Sequence, residues 1–194
     1  RKMRGVIRAK VNLHGFLATG MPIPGWPVAV THGAACEPVV DSGRVAMIDG
    51  ESVLHCWEQA TAARLWSIAL GAPASGPPTI CRRRLYAGLT DGRVIIVDVA
   101  DGSTLGVLRS AEGIATRVLS DGEVIAFGCG NGLVKVVETA TGRVLWQVPL
   151  AAPVADGDLV LGADLVCAAA GGRPARDPEH RGAERAEVHP PPAP

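Results

Sequence analysis

The chain has 194 residues, enough for one sizeable core. Basic and acidic residues number 19 each, so the formal net charge is zero and no basic excess argues for a nucleic-acid partner. No apolar run is long enough to span a membrane as a helix, and no segment holds a long 3.6-residue period.

In chain order, the first 35 residues carry two strand-like segments, 6–13 and 26–30, without the strands that should precede them. The basic residues at the start (Arg1, Lys2, Arg4, Arg8, Lys10) are followed by no apolar run, so they read as neither leader nor anchor. The chain opens on Arg1 rather than Met, which leaves room for a preceding piece with a targeting segment. Next come three similar stretches, 36–71, 77–110 and 114–150. Each is expected to hold a weak leading strand (near Pro38, Pro78 and Arg117) and three stronger ones. The second strands are 44–48, 85–89 and 124–128; the third are 53–57, 94–97 and 133–137; the fourth are 64–70, 104–108 and 144–150. Valine and isoleucine dominate them, as half-buried pleated surfaces favour. The turns include Asp49-Gly50, Asp91-Gly92 and Asn131-Gly132, then 60–63, Asp101-Gly102 and Thr141-Gly142, whose glycines supply the positive φ of tight hairpins. Residues 152–170 hold the first strands of a fourth unit. The tail 171–194, rich in proline and charge, cannot bury enough surface to order itself and is expected to be disordered. Its Pro190-Pro191-Pro192 reads as a solvated tail rather than a polyproline ligand.

Trp26, Trp66 and Trp146 stand on one lattice of 40 residues, whose remaining point is Gly106. Other positions share the phase: Glu58, Asp98 and Glu138; Thr61, Asp101 and Thr141; Ala62, Gly102 and Gly142; and the apolar Cys56, Ile96 and Val136. Four short strands per 40 residues is the content of one β-propeller blade, a small twisted sheet that must stack on its neighbours. The fold class is therefore all-β: a propeller of four-stranded antiparallel blades, three full with partial blades at the ends. The first 35 residues can complete the last blade and close a small ring, or the ring is incomplete and further blades come from the rest of the gene or another chain. A fixed tryptophan in each outer strand can wedge against the next blade's turn. The in-phase acid can accept hydrogen bonds from that turn's backbone.

The pattern apolar-x-acid-x-x-Thr-Gly-x-x-x-Trp resembles the tryptophan-docking motif of quinoprotein-type, or PQQ-like, propeller repeats. Val136, Glu138, Thr141, Gly142 and Trp146 match it, with Glu for the usual Asp. Cys56, Glu58, Thr61 and Trp66 match with Ala62 in the glycine's place; Ile96, Asp98 and Gly102 match with Asp101 for Thr and Gly106 for Trp. The resemblance implies structural blade-docking roles for Glu58, Thr61, Trp66, Asp98, Asp101, Gly102, Glu138, Thr141, Gly142 and Trp146. It further implies a noncatalytic scaffold or sensor module that holds a protein or peptide, as in subunits of outer-membrane assembly machinery and segments attached to bacterial kinases. The alternatives are a fragment of a PQQ-dependent dehydrogenase and a WD40-type scaffold. The stretch 91–98 suits WD40, but Gly-His and Trp-Asp marks are absent. Dehydrogenases of this type commonly hold PQQ against a vicinal disulfide near calcium ligands. No such cysteine pair stands here and no acid-and-amide set presents itself, so neither PQQ nor calcium is expected.

No other chemistry stands out. The histidines His14, His32, His55, His180 and His189 include no pair at ligand spacing, and His55 and Cys56 point to opposite faces of a strand. Ser67, Ser110 and Ser120 have no His and acid near them in sequence. Gly128-x-Gly130-x-Gly132 links two strands and reads as a hairpin rather than a phosphate loop. Arg82-Arg83-Arg84 reads as a solvated turn. The cysteines Cys36, Cys56, Cys81, Cys129 and Cys167 are scattered, and Cys56 fills a core slot. Their odd number disfavours an oxidising compartment, so the cytoplasm is slightly favoured for the chain as it stands. A periplasmic or extracellular home would follow from a signal peptide in a preceding piece.

Overall fold

The computed structural model describes residues 11–17, 19–162 and 165–170; the expectations for the basic start and for the tail 171–194 lie outside them. All regular structure among the described residues is strand. β1 (Val11–Leu13) and β2 (Val28–Val30) form a two-stranded sheet. The first blade is β3 (Val39–Asp41), β4 (Arg44–Ile48), β5 (Val53–Glu58) and β6 (Arg64–Ala69). The second is β7 (Thr79–Cys81), β8 (Arg84–Gly88), β9 (Arg93–Asp98) and β10 (Thr104–Arg109). The third is β11 (Leu119–Ser120), β12 (Val124–Gly128), β13 (Leu133–Glu138) and β14 (Val144–Pro149). β15 (Val154–Leu161) and β16 (Val166–Ala170) make a last two-stranded sheet. Each blade is an antiparallel meander with its strands in sequence order, because each connection is a short turn between neighbours.

The middle strands β4, β5, β8, β9, β12 and β13 are buried on both faces, which explains their near-continuous apolar runs. The fourth strands alternate between half-buried and exposed residues. The cores lie between blades rather than within them. One cluster joins Ile48 and Leu54 of the first blade to Leu85, Ile95 and Val97 of the second, and another joins Tyr86 and Val94 to Ile125, Phe127 and Val137 of the third. Trp26, Val28 and Val30 pack with Val45, Met47 and Trp57 against the first blade, while Val154, Leu159 and Ala168 pack against Ala126, Val134 and Val136 of the third. Among the described residues the two end sheets share no strand pairing: β1 pairs with β2 and β15 with β16.

One feature repeats that the apolar pattern does not announce. In every complete blade the fourth strand carries a β-bulge against the third. Trp57 pairs with Arg64 and Cys56 with Trp66, leaving Leu65 as the extra residue; Leu105 and Leu145 are the extra residues in β10 and β14. A bulge re-aims the side chains beside it. Here it turns the leucine outward and leaves the next position, Trp66 or Trp146, half-buried.

Candidate functional site

The docking residues meet as follows. Trp66 Nε1 donates to the carbonyl of Val99 at 3.0 Å, and Trp26 Nε1 donates to the carbonyl of Gln59 at 3.0 Å, each acceptor 33 residues further on. Both carbonyls belong to the turn before the next fourth strand. Gly102 closes that turn in the second blade with φ of 79°, and a Cβ there would lie 2.8 Å from the Trp66 ring. The glycine thus serves both the left-handed backbone and the approach of the indole. Ala62 holds the same place in the first blade at φ 59°. The acids act in two ways. Asp98 accepts from the backbone N–H of Ala100 at 2.7 Å. The longer glutamates reach a hydroxyl instead: Thr61 Oγ1 donates to Glu58 at 2.7 Å, and Thr141 Oγ1 donates to Glu138. Each threonine oxygen then accepts from the N–H two residues on, Ala63 or Arg143. Asp101, in the threonine's place, accepts from the Ser103 N–H at 2.8 Å, which holds its carboxyl below the usual range. Trp146 packs on the cluster of Val134, Val136 and Val154; the lattice continuation of its turn lies outside the described residues.

Gly106 breaks the series. A Cβ there would meet nothing within 4 Å, and Leu108 leans into the seam, its Cδ2 3.0 Å from where a Cβ on Gly142 would stand. A cavity of about 210 Å³ opens between the second and third blades, walled by Val94, Leu108, Ile125, Phe127, Val137 and Val144 and reaching Ser110 and Lys135.

Each seam also carries its own chemistry at matching lattice positions. In the seam of the first and second blades these are Ala72 and Ile95, both apolar. In the next seam they are Glu112 and Lys135. Lys135 is 7% exposed; its ammonium donates to Glu112 and, at 3.2 Å, to Ser110 Oγ. The bond from Lys135, with one from Ser110, holds the Glu112 carboxyl below its ordinary value. In the seam before the first blade they are His32 and His55. His32 pairs with Glu51 at 3.4 Å, and His55 Nε2 meets Asp49 Oδ2 at 3.0 Å beside the ring of Trp57. Asp49 is buried and accepts from the N–H groups of Glu51 and Val53.

Neither polar cluster was found from sequence neighbours, since its members lie on different strands and loops. The signal was in the lattice: Asp49 stands where the next two repeats have Leu89 and Cys129, and Lys135 where the two preceding repeats have His55 and Ile95. In the Lys135 cluster Ser110 Oγ donates to the Glu112 carboxylate at 2.9 Å as well as accepting from Lys135. An ammonium has donors only, so Lys135 as it stands accepts no proton from Ser110. Among the described residues no group of three or more His, Cys, Asp or Glu side chains is placed to hold a metal ion, and no two cysteines are bonded. Cys56 is fully buried, which pushes its thiol up to about 11. Arg82 and Arg83 form the β7–β8 turn, with Arg82 paired to the exposed Glu123 at 3.2 Å.

The outer rim is the remaining feature. β6, β10 and β14 are the outer edges of their sheets, and their bulge leucines share one lattice phase: Leu65 is 40% exposed, Leu105 51% and Leu145 40%. Val107 and Val144 are exposed beside them.

The family model described as outer membrane protein assembly factor BamB matches residues 14–175. No curated protein sequence matches the chain. Among solved structures, BamB from Moraxella catarrhalis is similar with a TM-score of 0.68 at 18% identity, over 81% of this chain and 48% of that one. The computationally designed Ika4 protein gives 0.64 at 16% identity, over 71% and 85%. The quinohemoprotein alcohol dehydrogenase from Comamonas testosteroni gives 0.51 at 19% identity, over 60% and 21%. The chain thus spans about half the length of BamB, and at these identities the likeness is one of fold.

Proposed function

Because the chain belongs to the PQQ-like repeat family described by outer membrane protein assembly factor BamB, we propose that it is a noncatalytic propeller module that holds a partner protein. The observation that carries this reading is the row of bulge leucines, Leu65, Leu105 and Leu145, exposed at one phase along three edge strands. A single exposed leucine is ordinary; the recurrence of one at the same phase on the edge strand of each of three blades gives each blade an apolar contact beside unpaired edge backbone. A partner segment laid along that rim buries the leucines and satisfies edge N–H and C=O groups together. The zero net charge favours a protein over a nucleic acid.

The test is a photo-crosslinking residue at position 105 of the chain in its own cells. One defined protein adduct is expected, lost when Leu65 and Leu145 are replaced by Glu while thermal stability stays within about 1 kcal/mol. No adduct, or an adduct indifferent to those changes, removes the rim from the proposal. The noncatalytic part has its own check. PQQ with calcium should leave the Tm and the absorption spectrum unchanged, whereas a saturable rise in Tm would make the chain a cofactor-binding protein.

A further inference from the structure

The seam between the second and third blades holds a space of definite shape. In the two preceding seams the same ground is taken by an indole, Trp26 or Trp66, whose N–H reaches a carbonyl 33 residues on. The matching offset from Gly106 falls on Thr139. Its side chain is 7% exposed, and its Oγ1 has no hydrogen-bond partner among the described residues. The hydroxyl of Tyr86, fully buried in the cluster that walls the cavity, has none either. Buried polar atoms without partners are rare and call for an explanation. The cavity of about 210 Å³ is larger than the roughly 150 Å³ apolar cavity that suffices to bind benzene in another protein. Its walls are aliphatic and aromatic, with a polar end at Ser110 and Lys135.

We propose that this seam is a preformed receptor for a tryptophan side chain presented by a partner protein. The incoming indole takes the place that Gly106 leaves vacant, lies against Phe127, Val137 and Gly142, and directs its N–H toward the Thr139 turn. Leu108, which now leans over Gly142, turns aside to admit it. The chain's own seams supply the argument for tryptophan: this repeat is built to seat an indole between blades, and here the fold is intact with the ring missing. The inference rests on the reading of the chain as a partner-binding module and names the chemistry that would recognise the partner.

Indole is the first probe, by titration calorimetry on the whole chain. Saturable binding is expected, and N-acetyltryptophanamide, which carries the side chain on a blocked backbone, should bind too. Benzofuran, of the same shape without the N–H, should bind about five-fold more weakly, the equivalent of one net hydrogen bond. Gly106→Trp should abolish binding by filling the seam from within, and Leu108→Ala should strengthen it. Backbone amide shifts on the unaltered protein supply a measurement independent of either variant; they should centre on Phe127, Val137, Gly142 and Val144. Absence of indole binding, shifts elsewhere, or binding undiminished in a folded Gly106→Trp would overturn the site. Binding of indole but not of the blocked tryptophan would overturn its assignment to a partner's side chain. A rim crosslink that persists while indole fails leaves the partner-binding reading standing and removes this site alone. Binding of indole and of the blocked tryptophan without any rim crosslink leaves this site standing and removes the rim alone.

Discussion

Arg83 lies at φ 66° directly after Arg82 at 47°, two consecutive left-handed residues in the β7–β8 turn. Such turns match the twist of a hairpin but cost a residue with a Cβ about 1 kcal/mol, which is why the equivalent turn of the first blade uses Gly43. Arg83→Gly should therefore stabilise the chain by about 0.5–1 kcal/mol in denaturant unfolding. The Lys135–Glu112 pair argues the other way. Glu112→Ala should destabilise by about 2 kcal/mol, because it leaves a buried ammonium with only Ser110 to accept from it. Glu112→Ala with Lys135→Ile installs the apolar pair that the preceding seam already uses, and should return stability to within about 1 kcal/mol of the original. The pair has a pH signature. The Glu112 carboxyl is held below its ordinary 4.5, so its contribution is complete above that value and is lost as the pH falls through the lower folded value. A stability profile below pH 5 should be steeper in the native chain than in Glu112→Gln; equal slopes would show that the pair contributes nothing. At this scale the sequence was legible where an acid answers its own turn's backbone, as Asp98 does the N–H of Ala100. It was silent where residues meet across 23 positions, as Glu112 does Lys135.

Each fourth strand leans on the blade that follows, and among β6, β10 and β14 only β10 brings no indole to its seam. Gly106 forgoes the ring, the hydrogen bond and the strand-forming side chain at once. Gly106→Trp should raise stability by about 2 kcal/mol, some 5 °C in Tm, since the seam has space for the ring once Leu108 turns. A fall in Tm would mean that Leu108 cannot leave its place over Gly142. The strands themselves were largely readable: 44–48 and 124–128 coincide with β4 and β12, because a near-continuous apolar run sits between turn glycines at both ends. The bulges were not readable. Leu-Trp in sequence gives no sign that the leucine is the extra residue, since only the register against Cys56 and Trp57 defines it. The rim therefore escaped a sequence reading that had already placed its neighbour, Trp66.

As a whole, the described molecule is a row of three complete blades between two two-stranded sheets. The number of complete blades followed from the 40-residue lattice. How the ends relate did not, because that depends on geometry summed over every seam. In repeat architectures stability is roughly a sum of units and nearest-neighbour interfaces, so the end sheets, each with a single blade to lean on, should open first. Amide exchange should be faster in β2 and β16 than in β8 and β9. Among the described residues the same end sheets have unpaired strand edges, and sedimentation should show association that grows with concentration. A single monomeric species with one sharp thermal transition at every concentration would indicate that the ends meet and close the ring.

The seam residues also determine which blades can be neighbours. Lys135 is matched to Glu112 and Ile95 to Ala72, whereas His55 stands at the same lattice position with its own blade's Asp49 as partner, so the seam positions differ in chemistry. If the third blade were set against the first, the ammonium of Lys135 would face Ala72 with no carboxylate; if the second were moved up one place, Ile95 would meet His32. Repeats of one architecture in one chain invite such exchanges, both within a folding molecule and between two of them. The mismatches at these seams penalise an exchange of blades, so the chain's own order is the one in which the buried charge of Lys135 keeps its carboxylate.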